Sequence, residues 1–159
     1  MLTVADLATL AALSASTHEP PELWAAVDLL MQKVVGHLLF TVMRVHEAAA
    51  EVERIYSSNP AAYPVGGRKA KRGTPWSRAV LDQGEVFFAR TPEEVREAFD
   101  DYALIFSLGI GSIMNIPIGY RGRRLGTINV SHEAGWFNDQ DAAAGLAIAP
   151  LLVPALLAH

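Results

Sequence analysis

The strongest constraint on the fold of this chain is a pair of adjacent segments that predict a β-hairpin. Residues 112–119, SIMNIPIG, and residues 124–132, RLGTINVSH, are rich in strand-forming side chains, and Gly122 lies in the connection between them. Apolar side chains alternate with other residues in both segments, which is the period of a strand. Since the apolar sets of the two strands should join on one side, the hairpin predicts a sheet packed against a second layer.

The other face of this hairpin carries a row of polar side chains. With the apolar residues of both strands over the core, Asn115 would lie beside Thr127, Asn129 and Ser131. One interpretation is a solvated outer face, which antiparallel sheets commonly have. The alternative is a shallow pocket floored by amide and hydroxyl groups, because a solvated face usually carries Lys and Glu as well. We favour the pocket and predict these four residues as ligand contacts.

The order of the predicted elements indicates a single α+β domain that spans residues 1–159. Residues 1–36 predict N-terminal helices, residues 37–132 predict a sheet with segments that cover a pocket, and residues 138–158 predict a C-terminal helix. The sheet should be mainly antiparallel, and the terminal helices should cover one of its faces.

Composition limits the chemistry that this chain can perform. It contains no cysteine, which excludes disulfides, thiolate nucleophiles and cysteine zinc sites and makes a reducing cytoplasm the simplest location. A formal net charge of −4 argues against nucleic acid as the main partner. The acidic side chains between residues 93 and 101 are most simply interpreted as compensating a helix dipole. The alternative is that Asp100 and Asp101 bind a cation or an amine ligand. No spacing predicts a metal site or catalytic residues, so we expect no enzyme.

Apolar stretches at both ends of the chain raise the question of a membrane. The first sixteen residues lack the basic segment that opens a signal peptide. Residues 142–158 form an uncharged run, but the run contains Gly145, Pro150 and Pro154 and has no basic flanks. We therefore expect a buried or subunit-packing helix instead of an anchor, and a homodimer in which the terminal helices pack together.

The segment 56–76, YSSNPAAYPVGGRKAKRGTPW, combines aromatic rings, glycines and a basic run without a helical or strand period. Such a run is usually a solvated loop, and single-stranded nucleic acid is a further alternative. Glycines and rings would also let the backbone close over a ligand, with a carboxylate or phosphate held by arginine or lysine. The predicted contacts are its rings and first two basic side chains: Tyr56, Tyr63, Trp76, Arg68 and Lys69.

Residues 112–141 resemble the end of a GAF domain. In that family a strand ending near a proline turns through a glycine-containing loop into a Gly-x-x-Asn-like strand, which is followed by an aromatic residue and a capped helix. The matching positions are Pro117, Gly122, Gly126, Asn129, Phe137 and Asn138. Residues 74–89 resemble the family's helix–glycine–strand segment, so the resemblance covers nearly the whole chain.

The resemblance implies a PAS-related fold with the terminal helices on one face of the sheet and a small-molecule pocket on the other. It also implies a sensory or regulatory module that dimerises through those helices and, with no output domain following, acts alone or on a separate protein. Bilin attachment and methionine-sulfoxide reduction in this family use cysteine, and both are excluded here. The cyclic-nucleotide signature is not found, so the ligand stays unidentified. The alternative is a protein-interaction module with a vestigial pocket, and an uncharacterised enzyme is a distant third.

Overall fold

The computed structural model describes residues 1–158, and its centre is a curled antiparallel sheet of six strands. In chain order the strands are β1 (Leu39–His46), β2 (Glu51–Ser57), β3 (Arg68–Ala70), β4 (Phe87–Ala89), β5 (Ser112–Tyr120) and β6 (Arg123–His132). They pair in the order β3-β2-β1-β6-β5-β4, so the short strands β3 and β4 form the edges. This architecture confirms the predicted α+β class.

The helices of both chain ends cover one face of this sheet, as predicted. They are α1 (Val4–Ser16), α2 (Pro20–Val34), α6 (Asp139–Ile148) and α7 (Val153–Leu157), with a 3-10 turn, Ala149–Leu152, joining the last two. Their buried side chains form the main core with the inward side chains of β1, β5 and β6. Asn138 and Asp141 form the predicted capping box at the start of α6.

The C-terminal helical run, Asp139–Leu157, is long and apolar enough to cross a membrane by length and composition. In the structure Ile148, Leu152 and Leu156 are buried in the main core. Pro150 opens the 3-10 turn that divides the run. The run therefore packs one side against the main core.

The register of the β5–β6 hairpin is the predicted one. Asn115 pairs with Asn129 and Ile116 pairs with Ile128, so the apolar set faces the terminal helices and the polar set faces away from them. A Cβ added to Gly126 would collide with the carbonyl oxygen of Met43 on β1. The glycine of the Gly-x-x-Asn-like strand is thus required by the close approach of two central strands.

Short helical segments cover the other face. They are α3 (Pro75–Ser77), which continues as a π-helical turn (Arg78–Asp82), α4 (Pro92–Ala98) and α5 (Tyr102–Ser107). Thr91 caps α4, because its side chain accepts a hydrogen bond from the Glu94 amide. Thr74 stands at the equivalent position before α3, but its buried hydroxyl makes no cap and has no partner among residues 1–158.

Candidate functional site

A cavity of about 70 Å³ lies on the sheet face that the terminal helices do not cover. Polar side chains from three neighbouring strands belong to its lining, namely Thr41, Asn115, Asn129 and Ser131. Apolar side chains complete much of the wall, namely Leu39, Phe99, Ile105 and Ile113. The predicted polar row is therefore the floor of a covered cavity and not a solvated face.

The floor is a chain of hydrogen bonds that runs across the strands. Asn115 Nδ2 donates to Asn129 Oδ1 at 2.7 Å, and Asn129 Nδ2 donates to Thr41 Oγ1 at 3.2 Å. Asn115 Oδ1 is buried and has no hydrogen-bond partner among residues 1–158. The predicted residue Thr127 lies on the same sheet face but is fully buried outside the cavity lining, so it supports the floor and does not reach the cavity.

A buried arginine that the sequence analysis missed faces this cavity. Arg54 is only 8% exposed, and its Nη1 donates to the Pro64 carbonyl at 3.1 Å. Its guanidinium lies over the Tyr63 ring, 4.8 Å from the centroid. No carboxylate oxygen of residues 1–158 lies within 4.0 Å of its nitrogens. Burial lowers the pKa of Arg54, yet an arginine stays protonated under all ordinary conditions, so the cavity holds a fixed positive charge.

A β-bulge explains why Arg54 lines the cavity while Tyr56 does not. Met43 pairs with Arg54 and Val42 pairs with Tyr56, which leaves Ile55 as an extra residue on β2. Tyr56 therefore turns to the terminal-helix face. The prediction that Tyr56 contacts a ligand in the cavity is wrong.

The Tyr56 hydroxyl instead donates to Asp28 Oδ2 of α2 at 2.7 Å. The same carboxylate lies 2.7 Å from His37 Nε2 through its Oδ1 atom. Burial, followed by the hydrogen bond to Asp28, raises the pKa of Tyr56 to about 12. This tyrosine thus links β2 to α2 on the side opposite the cavity.

The pleat of β3 separates the two basic side chains that were predicted together. Lys69 pairs with Val52 and lines the cavity, whereas Arg68 pairs with Glu53. Arg68 lies 3.4 Å from Glu53 Oε1 and is absent from the cavity lining. Because neighbouring strand residues point to opposite faces, Lys69 is the one of these two side chains that reaches the cavity. The prediction for Arg68 is wrong.

The mouth of the cavity is formed by the residues that also line a second, outer cavity, namely Lys69, Trp76, Phe99 and Asp101. The Tyr63 hydroxyl donates to Asp101 Oδ2 at 2.7 Å, and Lys69 Nζ lies 3.5 Å from Asp101 Oδ1. Burial and this hydrogen bond raise the pKa of Tyr63, so it remains a neutral donor. Beyond the mouth lies an outer cavity of about 350 Å³, where the Trp76 and Phe99 rings stack with centroids 6.3 Å apart.

Most of the predicted contacts thus come together around one cavity: Tyr63, Lys69, Trp76, Asn115, Asn129 and Ser131. Arg54 was missed although a basic residue inside the apolar strand 52–57 was a visible signal. Asp101 was considered only as part of an acidic group. Within residues 1–158 no cluster of histidine, aspartate and glutamate side chains is arranged to hold a metal ion.

No protein-family model and no curated protein sequence matches this chain. Solved structures do match it along nearly its whole length. It superposes on a GAF domain from an Acinetobacter phosphoenolpyruvate-protein phosphotransferase with a TM-score of 0.76 and 12% identity, covering 98% of this chain and 92% of that one. The corresponding domain from Coxiella burnetii gives a TM-score of 0.78 and 16% identity, with the same coverage.

The GAF domain of a two-component sensor histidine kinase from Bacillus halodurans is also similar. Its TM-score is 0.65 at 14% identity, covering 99% of this chain and 95% of that one. The chain therefore has the GAF-domain fold, and the resemblance seen in the hairpin is confirmed at the level of structure.

Proposed function

We propose that this chain is a GAF-type sensory domain that binds a small polar or anionic molecule in the cavity over β1, β5 and β6. One observation carries the proposal: the guanidinium of Arg54 is buried at the cavity without a carboxylate within 4.0 Å among residues 1–158. A guanidinium that is buried with only a carbonyl and a ring in contact is costly, so a native fold that retains one has a use for it.

The hydrogen-bonding floor supports the same proposal. Asn115 and Asn129 offer amide groups of fixed orientation at the cavity, and the Asn115 oxygen is left without a partner. Convergent polar groups in an otherwise apolar concavity are typical of small-molecule sites. The similar domains come from a phosphotransferase and a sensor histidine kinase, which is in keeping with a regulatory role.

The proposal includes a homodimer in the cytoplasm that acts through the terminal helices. The outward side of these helices carries apolar side chains in water, among them Leu146 at 46% exposure and Leu157 at 45%. A groove of about 490 Å³ also opens between the start of α1 and α6. Apolar surface of this kind favours a second subunit. We propose a binding module without catalytic activity.

Thermal denaturation against a library of metabolites tests this function. A ligand that binds only the native state must raise the melting temperature. We expect at least one compound to do so for the wild type and to lose its effect with Asn129→Ala. Arg68→Met is the matched control, because this arginine lies on the other side of β3 and should leave binding unchanged. A hit that Asn129→Ala does not weaken would refute the assignment of the cavity.

The second candidate is a protein-interaction module with a vestigial cavity. The exposed apolar side of the terminal helices favours it, since a partner protein could cover that surface in place of a second copy. A chain that binds no library compound but recovers a specific partner from its own cell extract would support this candidate.

A further inference from the structure

The ionisable side chains around the inner cavity leave one unbalanced charge. Arg54, Lys69 and Asp101 are its charged lining residues, which gives one positive charge in excess. Asp101 is already engaged at the mouth, where it accepts from Tyr63 and lies 3.5 Å from Lys69. Lys69 is about half exposed to water, so the positive charge that is buried is that of Arg54, on which Asp101 acts only from beyond 4.0 Å. A ligand with a single negative charge in contact with Arg54 would balance the charges of the lining.

The volume of the inner cavity limits the size of that ligand. Its 70 Å³ corresponds to roughly five to seven positions the size of a water molecule, and so to a similar number of non-hydrogen atoms. Nucleotides and bilins are far larger than this. The outer cavity shares Lys69, Trp76, Phe99 and Asp101 with the inner one, so the size limit applies to the part of the ligand that lies in the inner cavity.

The distribution of apolar and polar groups determines how such a ligand would lie. Leu39, Ile105 and Ile113 give the cavity apolar walls, which suit a short hydrocarbon body. Arg54 supplies a planar fork of donors that matches a carboxylate. Inorganic phosphate carries more than one charge near neutral pH, and it has no apolar part for those walls. A buried dianion would leave an excess negative charge in place of the present positive one.

We propose that the ligand of this cavity is a small aliphatic monocarboxylate, with its carboxylate against Arg54 and its hydrocarbon body against the apolar wall. This inference rests on the proposed function, because it specifies the ligand of the same site. It goes beyond that function by excluding phosphates, dicarboxylates and neutral molecules as the main ligand.

Isothermal titration calorimetry with paired compounds tests the charge requirement in the wild-type protein. The probes are propionate, butyrate, lactate and pyruvate, each compared with its own primary amide, and with succinate and inorganic phosphate as further comparators. The acid and its amide have nearly the same shape, so a difference between them reports the charge alone. We expect the best monocarboxylate to bind at least about tenfold more tightly than its amide, succinate or phosphate.

Variants locate the charge that is recognised. Arg54→Met should weaken binding of the best acid at least about tenfold, and Arg54→Lys should weaken it less because the charge is kept. Arg68→Met should bind like the wild type, because this side chain is paired with Glu53 on the other face. The acid–amide comparison needs no variant, so the inference remains testable if Arg54→Met does not fold.

The outcomes separate this inference from the function on which it rests. If an amide, succinate or phosphate binds more tightly than every monocarboxylate, the assignment of a monocarboxylate ligand is wrong, while the proposed function of the cavity still stands. The same conclusion would follow from a library hit that depends on Asn129 but not on Arg54. Failure of every probe and of the whole library to bind would overturn both.

Discussion

Arg54 and Tyr56 are two residues apart on β2, and their side chains lie on opposite faces of the sheet. The bulge at Ile55 produces this arrangement, since it adds one residue between two positions that would otherwise share a face. One side chain lines the cavity, and the other is bonded to α2 through Asp28. The bulge therefore places a residue that lines the cavity and a residue that is hydrogen-bonded to α2 two positions apart on one strand.

Two tyrosine-to-phenylalanine variants should separate the two faces. Tyr56→Phe removes a hydrogen bond to a carboxylate on the helix side, and we expect the free energy of unfolding to fall by about 1–2 kcal/mol with ligand affinity unchanged. Tyr63→Phe removes the equivalent bond to Asp101 at the cavity mouth, and it should change both quantities. Guanidinium chloride unfolding and calorimetry measure the two effects. Loss of affinity in Tyr56→Phe equal to that in Tyr63→Phe would contradict the assignment of faces.

Stability should decline at alkaline pH, and Tyr56 should account for part of the decline. Burial and the Asp28 carboxylate raise its pKa from 10.0 to about 12, so the unfolded chain loses this proton first. Between these values the native state binds more protons than the unfolded state, and the free energy of unfolding therefore falls as pH rises. The contribution is fully present below pH 10 and is lost through pH 12.

Unfolding by guanidinium chloride from about pH 9 to pH 11 measures this slope. Tyr56→Phe should flatten it, because the variant has no phenol at that position to titrate. An identical slope in Tyr56→Phe and the wild type would rule the explanation out.

Thr91-Pro92 and Thr74-Pro75 are the same dipeptide at the start of a helix, but replacing the two threonines should change the free energy of unfolding by different amounts. Thr91→Ala removes a hydroxyl that accepts from the Glu94 amide, and we expect a loss of about 1 kcal/mol. Thr74→Ala removes a buried hydroxyl that has no partner among residues 1–158, so its effect should be near zero or slightly stabilising. Urea denaturation of both variants provides the comparison, and a greater loss in Thr74→Ala would show that its hydroxyl has a partner in solution.

A charge on the outward side of the terminal helices should dissociate the proposed dimer. Leu146 on α6 is 46% exposed, and Leu146→Glu would place a carboxylate in the expected subunit contact. We expect the dissociation constant measured by sedimentation to rise at least about tenfold. Leu104→Glu is the matched control, since this leucine is 39% exposed on α5 over the opposite sheet face. A wild-type protein that is monomeric at micromolar concentration would argue against the dimer itself.

The hairpin shows how much of this fold was visible in the sequence. Its alternation was sufficient to place Asn115 on the same face as Asn129, because a strand has a period of two and apolar residues must face the core. The cap at Asn138 was equally visible, since capping depends on residues only a few positions apart. These local signals were enough to predict the α+β fold class, the sheet face that the terminal helices cover and the polar row on the other face.

Other parts of the site depend on contacts between residues far apart in the chain. The bulge at Ile55 shows itself only when β1 and β2 pair, and it reverses the expected direction of Tyr56. The pairing of β3 with β2 places Lys69 at the cavity and Arg68 on the other face. The hydrogen bond from Tyr63 to Asp101 joins two cavity residues that are far apart in the chain. The sequence by itself determined that one face of the sheet would carry a row of polar side chains. Tertiary structure alone decided that the guanidinium of Arg54 lines the cavity, because the direction of a side chain in a bulged strand is set by the partner strand.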